Sequence, residues 1–226
     1  STGTIAGFTF KFVVSIGVDN TNTEHYNITN MAQNGSFENT GWSTSSGGVY
    51  DSSIKKYGNY SLKVIGNTSA SEITVSAKTT MALDNTHKYY VRYEIYHTGS
   101  SGTVGFYFPI AEPYFFEGVA LSTANKWNVI SKVNNRSSFS TNSSTSYRVD
   151  YNNNNSAGVV YFDGLMVVDL TETFGAGNEP TKEWCDENIN YFEGTTIIKV
   201  EPKGTDTLIA LTDNKDNSGL YRITHQ

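Results

Sequence analysis

The sequence predicts an all-β protein built as a two-layer sandwich. Short runs of alternating apolar residues recur along the 226-residue chain, and each run is bounded by Gly, Asn or Ser. The composition agrees, because 13% of the residues are aromatic and only 17% are charged, whereas helix-rich domains depend on Glu, Lys, Ala and Leu. Seven or more short strands without intervening helical patterns are typical of two packed antiparallel sheets.

The strand candidates are spread over the whole chain. Residues 8–14 alternate apolar and polar positions, and residues 26–28 resume after a polar stretch, so we expect a hairpin or strand pair there. The candidates that we assign to the sandwich are residues 60–64, 72–75, 89–96, 104–110, 127–133, 147–151 and 159–170. We expect the last candidates, residues 196–200, 207–211 and 220–223, to pair with the strands of the N-terminal region.

One segment near the end of the sandwich has the period of a helix. In residues 181–192, Thr181 is a suitable N-cap and Gly194 follows as a stop. The predicted apolar face of this helix is formed by Trp184, Cys185, Ile189 and Phe192. Residues 164–194 contain seven acidic residues and one Lys, which accounts for the whole net charge of −6. We therefore expect a short acidic helix that packs on the sandwich.

Composition and charge exclude several classes of function. Sixteen basic residues against twenty-two acidic ones, with a pI of about 5.2, give no basic footprint for binding nucleic acid. No apolar run approaches the roughly 18 to 20 residues that a membrane helix requires, so we expect no membrane insertion. The single cysteine, Cys185, excludes an internal disulfide framework and a thiolate zinc site.

No catalytic motif emerges from the sequence. The four histidines lie far apart and have no spacing typical of a metal hydrolase. A glycosidase would need two carboxyl groups about 5 to 10 Å apart across a cleft, and the nearest candidates in an aromatic region are Glu94, Glu112 and Glu117. We therefore expect no enzymatic activity, with a glycan-degrading hydrolase as an alternative.

The strand at residues 88–97 supplies the candidate ligand-binding residues. Alternate side chains of a strand point to opposite faces, so its odd-numbered residues from Tyr89 to Ile95 form an apolar face. Its even-numbered residues mix aromatic rings, which stack on sugars, with groups that hydrogen-bond to sugar hydroxyls. With one residue of the next strand, the predicted saccharide-binding residues are Tyr90, Arg92, Glu94, Tyr96 and Tyr107. We expect them on an accessible, concave surface, although tyrosines also cover a sheet without binding anything.

Three short motifs resemble those of one family of β-sandwiches. Asn34-Gly35-Ser36-Phe37-Glu38 with Gly41-Trp42, then residues 57–64, then Tyr161-Phe162-Asp163-Gly164-Leu165, are similar in order and spacing to carbohydrate-binding modules. The resemblance implies a galactose-binding-like jelly roll that binds sugars without catalysis. It also implies a structural calcium ion held by Glu38 and Asp163, with backbone carbonyl oxygens completing the shell. The alternative is that Glu38 caps a turn and Asp163 is a solvated carboxylate.

A second resemblance concerns residues 170–194. This segment is similar to one that recurs in tail and minor structural proteins of phages and prophages of Gram-positive bacteria. It implies a virion or extracellular location, a bacterial cell-surface glycan and other tail proteins as partners, and a homo-oligomer in the particle through the terminal strands. The alternative is a structural spacer of the tail, with the aromatic face as an interface. The expected division of the chain is N-terminal strands at 1–30, a jelly roll at 31–170, an acidic linker and helix at 171–194, and C-terminal strands at 195–226.

Overall fold

The computed structural model describes residues 2–5, 8–11, 24–38, 40–44, 47–107, 116–135 and 143–200. The chain forms two compact units, of which the larger is Tyr26–Ile198 and the smaller combines Ser1–His25 with Lys199–Gln226. The smaller unit contains an antiparallel hairpin of β1 (Thr2–Ile5) and β2 (Phe8–Lys11). The predicted boundaries at residues 30, 170 and 194 stay predictions.

The larger unit is a jelly-roll β-sandwich, which confirms the predicted fold class. The remaining strands are β3 (Glu24–Thr29), β4 (Gly48–Asp51), β5 (Ser61–Ile65), β6 (Glu72–Leu83), β7 (Lys88–His97), β8 (Thr103–Tyr107), β9 (Phe116–Ala120), β10 (Asn128–Asn135), β11 (Ser143–Asn152), β12 (Val159–Asp169) and β13 (Thr195–Val200). One sheet has the order β10-β7-β12-β5-β4 and the other β6-β11-β8-β9, and the strand pairs within both are antiparallel. Strands β4 and β9 were not predicted.

The terminal strands pair in part as expected. Strand β13 pairs with β3, as predicted for the C-terminal candidates. Residues 8–11 form β2, which pairs with β1 instead of with residues 26–28, and residues 12–14 of the predicted strand lie outside the described residues. The strand candidates at 207–211 and 220–223 lie outside the described residues.

The core lies between the two sheets and is filled by the apolar faces that alternation predicts. In β7, Tyr89, Val91, Tyr93 and Ile95 are at most 1% exposed. Strand β11 faces them with residues that are all fully buried, namely Tyr147, Val149 and Tyr151. Each such side chain contributes about 1.5 to 3 kcal/mol on burial, so this core stabilises both sheets at once.

Two short helices follow β12 and cover one end of the five-stranded sheet. Asp169 caps α1 (Leu170–Phe174), which the sequence pattern did not reveal. The predicted N-cap of the second helix is confirmed, because Thr181 Oγ1 accepts a hydrogen bond from Trp184 N in α2 (Lys182–Asn188). The helix ends before the expected Gly194, because Ile189 is already extended. Among the described residues no helix is long and apolar enough to cross a membrane.

The Asn34–Glu38 motif connects the start of the sandwich to its last strand. Gly35 approaches β12 so closely that a Cβ atom there would lie 2.0 Å from the carbonyl oxygen of Leu165. Leu165 N donates a hydrogen bond of 2.9 Å to Gly35 O, and Ser36 N and Oγ both donate to Glu193. The motif therefore has a structural role that only glycine permits at its second position.

Candidate functional site

The outer face of the five-stranded sheet is largely covered, which overturns the expected exposure of Tyr90. Its ring is fully buried among Met166, Val168 and the α2 residue Cys185. Its hydroxyl donates a 2.8 Å hydrogen bond to Asp186 Oδ1, and burial raises the pKa of Tyr90 above its usual range. Helix α2 packs its apolar face on this part of the sheet, because that face is stabilised by burial. It therefore occupies the space through which a ligand would reach Tyr90.

Glu94 and Arg92 lie under the loop that joins β4 to β5. Glu94 is fully buried, and its Oε1 accepts hydrogen bonds of 2.7 Å from both Tyr57 Oη and Arg92 Nη2. Lys56 Nζ forms an ion pair with Glu94 Oε2. The expected accessibility of Glu94 is therefore wrong, because the loop places compensating charges over it. Arg92 retains 11% side-chain exposure.

The predicted calcium ligands accept hydrogen bonds from backbone N–H groups, most of them in this loop. Asp163 accepts hydrogen bonds of 2.8 to 3.0 Å from the backbone N–H groups of Lys56, Tyr57 and Gly164. Glu38 accepts from the N–H groups of Asn59 and Tyr60. N–H donors occupy lone pairs that a cation would need, so this donor set fits a hydrogen-bonded clamp better than an oxygen shell. Within the described residues, no three His, Cys, Asp or Glu side chains converge on one point.

Calcium binding at Glu38 and Asp163 stays a prediction from the sequence resemblance, and the hydrogen-bond donors in the structure lead us to the opposite expectation, which removal of calcium tests. From the donor set we expect the midpoint of thermal unfolding to be the same within about 1 °C in excess EDTA and in millimolar calcium. A midpoint that falls by several degrees in EDTA and returns with calcium would show that an ion stabilises the folded state by mass action.

An apolar strip remains partly open at the other end of this sheet, although Tyr161 within it is only 6% exposed. Tyr96, Tyr161, Lys63 and Val49 are cross-strand neighbours in one row. The ring of Tyr96 makes angles of 52° with Trp127 and 76° with Tyr161, so the three rings do not form a flat platform. We call this region the apolar strip, and its members are Val49, Ile65, Tyr96, Trp127, Val129 and Tyr161. The three aliphatic members are 41 to 50% exposed.

Tyr107 lies on the other sheet, so the prediction that all five residues share one face is wrong. On the outer face of the four-stranded sheet, Tyr107 is opposite Arg148, and Arg148 is opposite Ser76. In the next row Asp150 lies between Thr74 and Gly105, which has no side chain. We call this surface the polar face, and its members are Thr74, Ser76, Gly105, Tyr107, Arg148 and Asp150.

The polar face combines an aromatic ring with a charged pair. The guanidinium carbon of Arg148 lies 4.0 Å from the centre of the Tyr107 ring, and its Nε lies 2.9 Å from Asp150 Oδ1. Asp150 is 6% exposed, and burial raises the pKa of its carboxyl to about 7 although Arg148 opposes this shift. The Arg148 side chain keeps 25% exposure, so a ligand would meet the guanidinium before the carboxylate.

Sequence reasoning missed Arg148 and Asp150, although the necessary signal was present. They alternate with Tyr147, Val149 and Tyr151, which is the period that identified the even-numbered residues of β7. Buried odd positions in β11 therefore imply that both charged residues point to the opposite face. The sequence pattern does not reveal that α2 covers the face of β7, whereas no helix of the described residues covers this face.

No family model and no curated protein matches the chain. Among solved structures it is similar to an arabinose-bound MgGH51 α-L-arabinofuranosidase, with 15% identity, a TM-score of 0.50 and coverage of 63% of this chain and 26% of that one. It is also similar to the enzymatically active domain of tailspike protein 4 of bacteriophage CBA120, with 12% identity, a TM-score of 0.45 and coverage of 62% and 21%. A family 16 carbohydrate-binding module has 17% identity, a TM-score of 0.44 and coverage of 61% and 99%.

These similarities concern the fold. The chain spans about a quarter of the arabinofuranosidase and about a fifth of the tailspike domain that it matches. At 15% identity, the arabinofuranosidase match shows a shared β-sandwich architecture.

Proposed function

We propose that this protein is a non-catalytic carbohydrate-binding module and that its polar face binds the saccharide. The observation that carries the proposal is the row Ser76, Arg148 and Tyr107 on a sheet face with no helix over it among the described residues. An aromatic ring offers a surface for the apolar side of a sugar, while hydroxyl and guanidinium groups take its hydroxyls. The outer face of the five-stranded sheet has fewer groups available to a saccharide, because α2 and the β4–β5 loop cover its polar residues.

The polar face is suited to shallow, additive recognition. Thr74 and Ser76 are short, and Gly105 adds no side chain, so Tyr107 and Arg148 are the largest groups on the face. A single face of this kind binds in the millimolar to micromolar range, or about 4 to 8 kcal/mol. Several copies in one particle would raise the apparent affinity through multivalency.

Replacing Tyr107 with Ala is expected to weaken saccharide binding at least tenfold, because the ring supplies stacking area and supports Arg148. Affinity electrophoresis through gels containing purified wall polysaccharide of Gram-positive bacteria measures this change. Tyr96→Ala, on the apolar strip, is the matched control and should shift affinity less than twofold.

The opposite ranking would move the site to the apolar strip, where Tyr96 was predicted to contact the ligand. Equal retention of both variants and the parent would contradict sugar binding on either face. Release of reducing sugar from the same polysaccharide would favour the hydrolase alternative.

We further propose that the module belongs to the tail of a phage or prophage and contacts a host cell-surface saccharide. The resemblance of residues 170–194 to tail proteins supports this context. In the structure that segment packs on the sandwich through Leu170, Cys185 and Ile189. Immunogold labelling of particles with an antibody against the module tests it, and label at the tail is the expected result.

A structural spacer is the second candidate role, and the apolar strip favours it. Val49, Ile65 and Val129 are three of the four large apolar side chains that are exposed among the described residues. Exposed apolar area of this kind marks contacts with other proteins. If the strip joins copies of the chain or other tail proteins, Val129→Lys should lower the self-association seen in sedimentation velocity, or abolish co-assembly with the tail.

A further inference from the structure

The guanidinium of Arg148 is held in one orientation by two independent contacts. Its carbon lies over the Tyr107 ring, 4.0 Å from the ring centre, and its Nε forms an ion pair with Asp150 Oδ1 at 2.9 Å. The first contact occupies one face of the Tyr107 ring, and the second uses only the Nε of Arg148. Within the described part of the chain, the two terminal nitrogens have no acceptor on the polar face.

A pre-oriented guanidinium is a specific recognition element. Two parallel N–H groups match the geometry of a carboxylate or a phosphate, whereas a sugar hydroxyl uses only one of them. Holding the side chain in advance also reduces the entropy lost when a ligand binds. The arrangement is therefore better suited to an anionic group than to a neutral hydroxyl.

We propose that the polar face selects saccharides that carry an anionic group, a carboxylate or a phosphate, and that the terminal nitrogens of Arg148 bind this group. This inference rests on the proposed function and names its ligand class. The anion lies at the Ser76–Arg148–Tyr107 row. At the other end of the face, the exposed carboxylate of Glu72 is opposite Asn152 and would repel an anion.

Asp150 positions the guanidinium and, when it is ionised, offsets the positive charge of Arg148. The described titratable groups around Asp150 are Arg148 on its own strand, Glu72 on β6 and Tyr93 on β7. Burial raises the pKa of Asp150 to about 7, so the carboxyl takes up a proton as the pH falls through neutrality. The charge of Arg148 is then no longer offset, and an anionic ligand should bind more tightly at pH 6 than at pH 8.

Isothermal titration with three polymers tests the inference: polygalacturonate, poly(glycerol phosphate) and neutral galactan, each at pH 6 and pH 8. One or both charged polymers should bind at least tenfold more tightly than galactan, and their ranking distinguishes carboxylate from phosphate. Arg148→Lys keeps the positive charge but loses the two parallel N–H groups, so it should remove most of the preference for charged polymers. Asp150→Asn should keep the advantage and abolish the difference between the two pH values.

The controls separate specific recognition from general attraction between charges. Lys63→Gln removes a cation from the other sheet and should change affinity less than twofold, whereas Arg148→Gln should abolish the preference. Unchanged thermal midpoints show that each variant is folded. Galactan binding as tight as that of the charged polymers would overturn the anion preference and leave saccharide binding intact. If none of the three polymers binds while wall polysaccharide still binds through Tyr107, the anion preference is also overturned. If the protein binds neither the polymers nor wall polysaccharide, the proposed function itself is rejected.

Discussion

Replacing Glu94 with Ala is expected to lower the free energy of unfolding by about 3 to 5 kcal/mol. Glu94 is fully buried and compensates Arg92 and Lys56, and it also accepts the hydrogen bond of Tyr57 Oη. Without it, Arg92 under the β4–β5 loop and the partly exposed Lys56 of that loop lose their shared counter-charge. Removing one partner of a buried ion pair leaves an uncompensated charge, which costs more than the pair contributed.

Urea unfolding followed by tryptophan fluorescence measures this loss. Glu72→Ala is the matched control, because Glu72 is exposed and its replacement should cost less than about 0.5 kcal/mol. Saccharide affinity per folded molecule should be unchanged in Glu94→Ala. A stable variant that no longer binds sugar would contradict the structural role and return Glu94 to the ligand site predicted from the sequence.

The fold was predictable because strand alternation is a local property. Tyr89 and Ile95 face the core in β7, as the period of two requires, and Thr181 caps α2, as its position before an acidic first turn indicates. Strands β4 and β9 are four and five residues long, and each contains a glycine, which weakens the signal.

The candidate site was harder to predict because exposure depends on what packs over a sheet. Alternation assigned Tyr90, Arg92, Glu94 and Tyr96 correctly to one face, but it carries no information on which elements cover that face. Tyr90 is covered by α2 and Glu94 by a loop that follows β4. Nor does alternation tell which sheet a strand joins, and for this reason Tyr107 was grouped with residues of the opposite sheet.

Replacing Asn30 with Ala should destabilise the larger unit by about 4 kcal/mol. The carboxamide of Asn30 is buried and its hydrogen-bonding capacity is fully used. Its Nδ2 donates to the carbonyl oxygens of Leu165 and Phe192, and its Oδ1 accepts from the N–H groups of Ala32 and Val167, all at 3.0 to 3.1 Å. Alanine would leave four backbone groups without these partners, and each such group costs about 1 to 3 kcal/mol when it stays buried. Partial access of water to them keeps the total near the lower end of that sum.

Chemical unfolding of Asn30→Ala, Asn30→Asp and Asn128→Ala separates the contributions. Asn30→Asp keeps the two acceptor bonds, but it places a buried carboxylate oxygen beside the carbonyl oxygens of Leu165 and Phe192, so at neutral pH it should destabilise the unit at least as much as Asn30→Ala. Asn128 also makes two side-chain hydrogen bonds to backbone carbonyls, but it does so in exposed surroundings, and its replacement should cost less than about 1 kcal/mol. If Asn30→Ala costs no more than Asn128→Ala, a buried carboxamide does not connect β12, the segment after β3 and the chain that follows α2. Their attachment would then depend on the apolar contacts of Ile28, Leu170 and Ile189 and on backbone hydrogen bonds such as that from Met31 N to Val167 O.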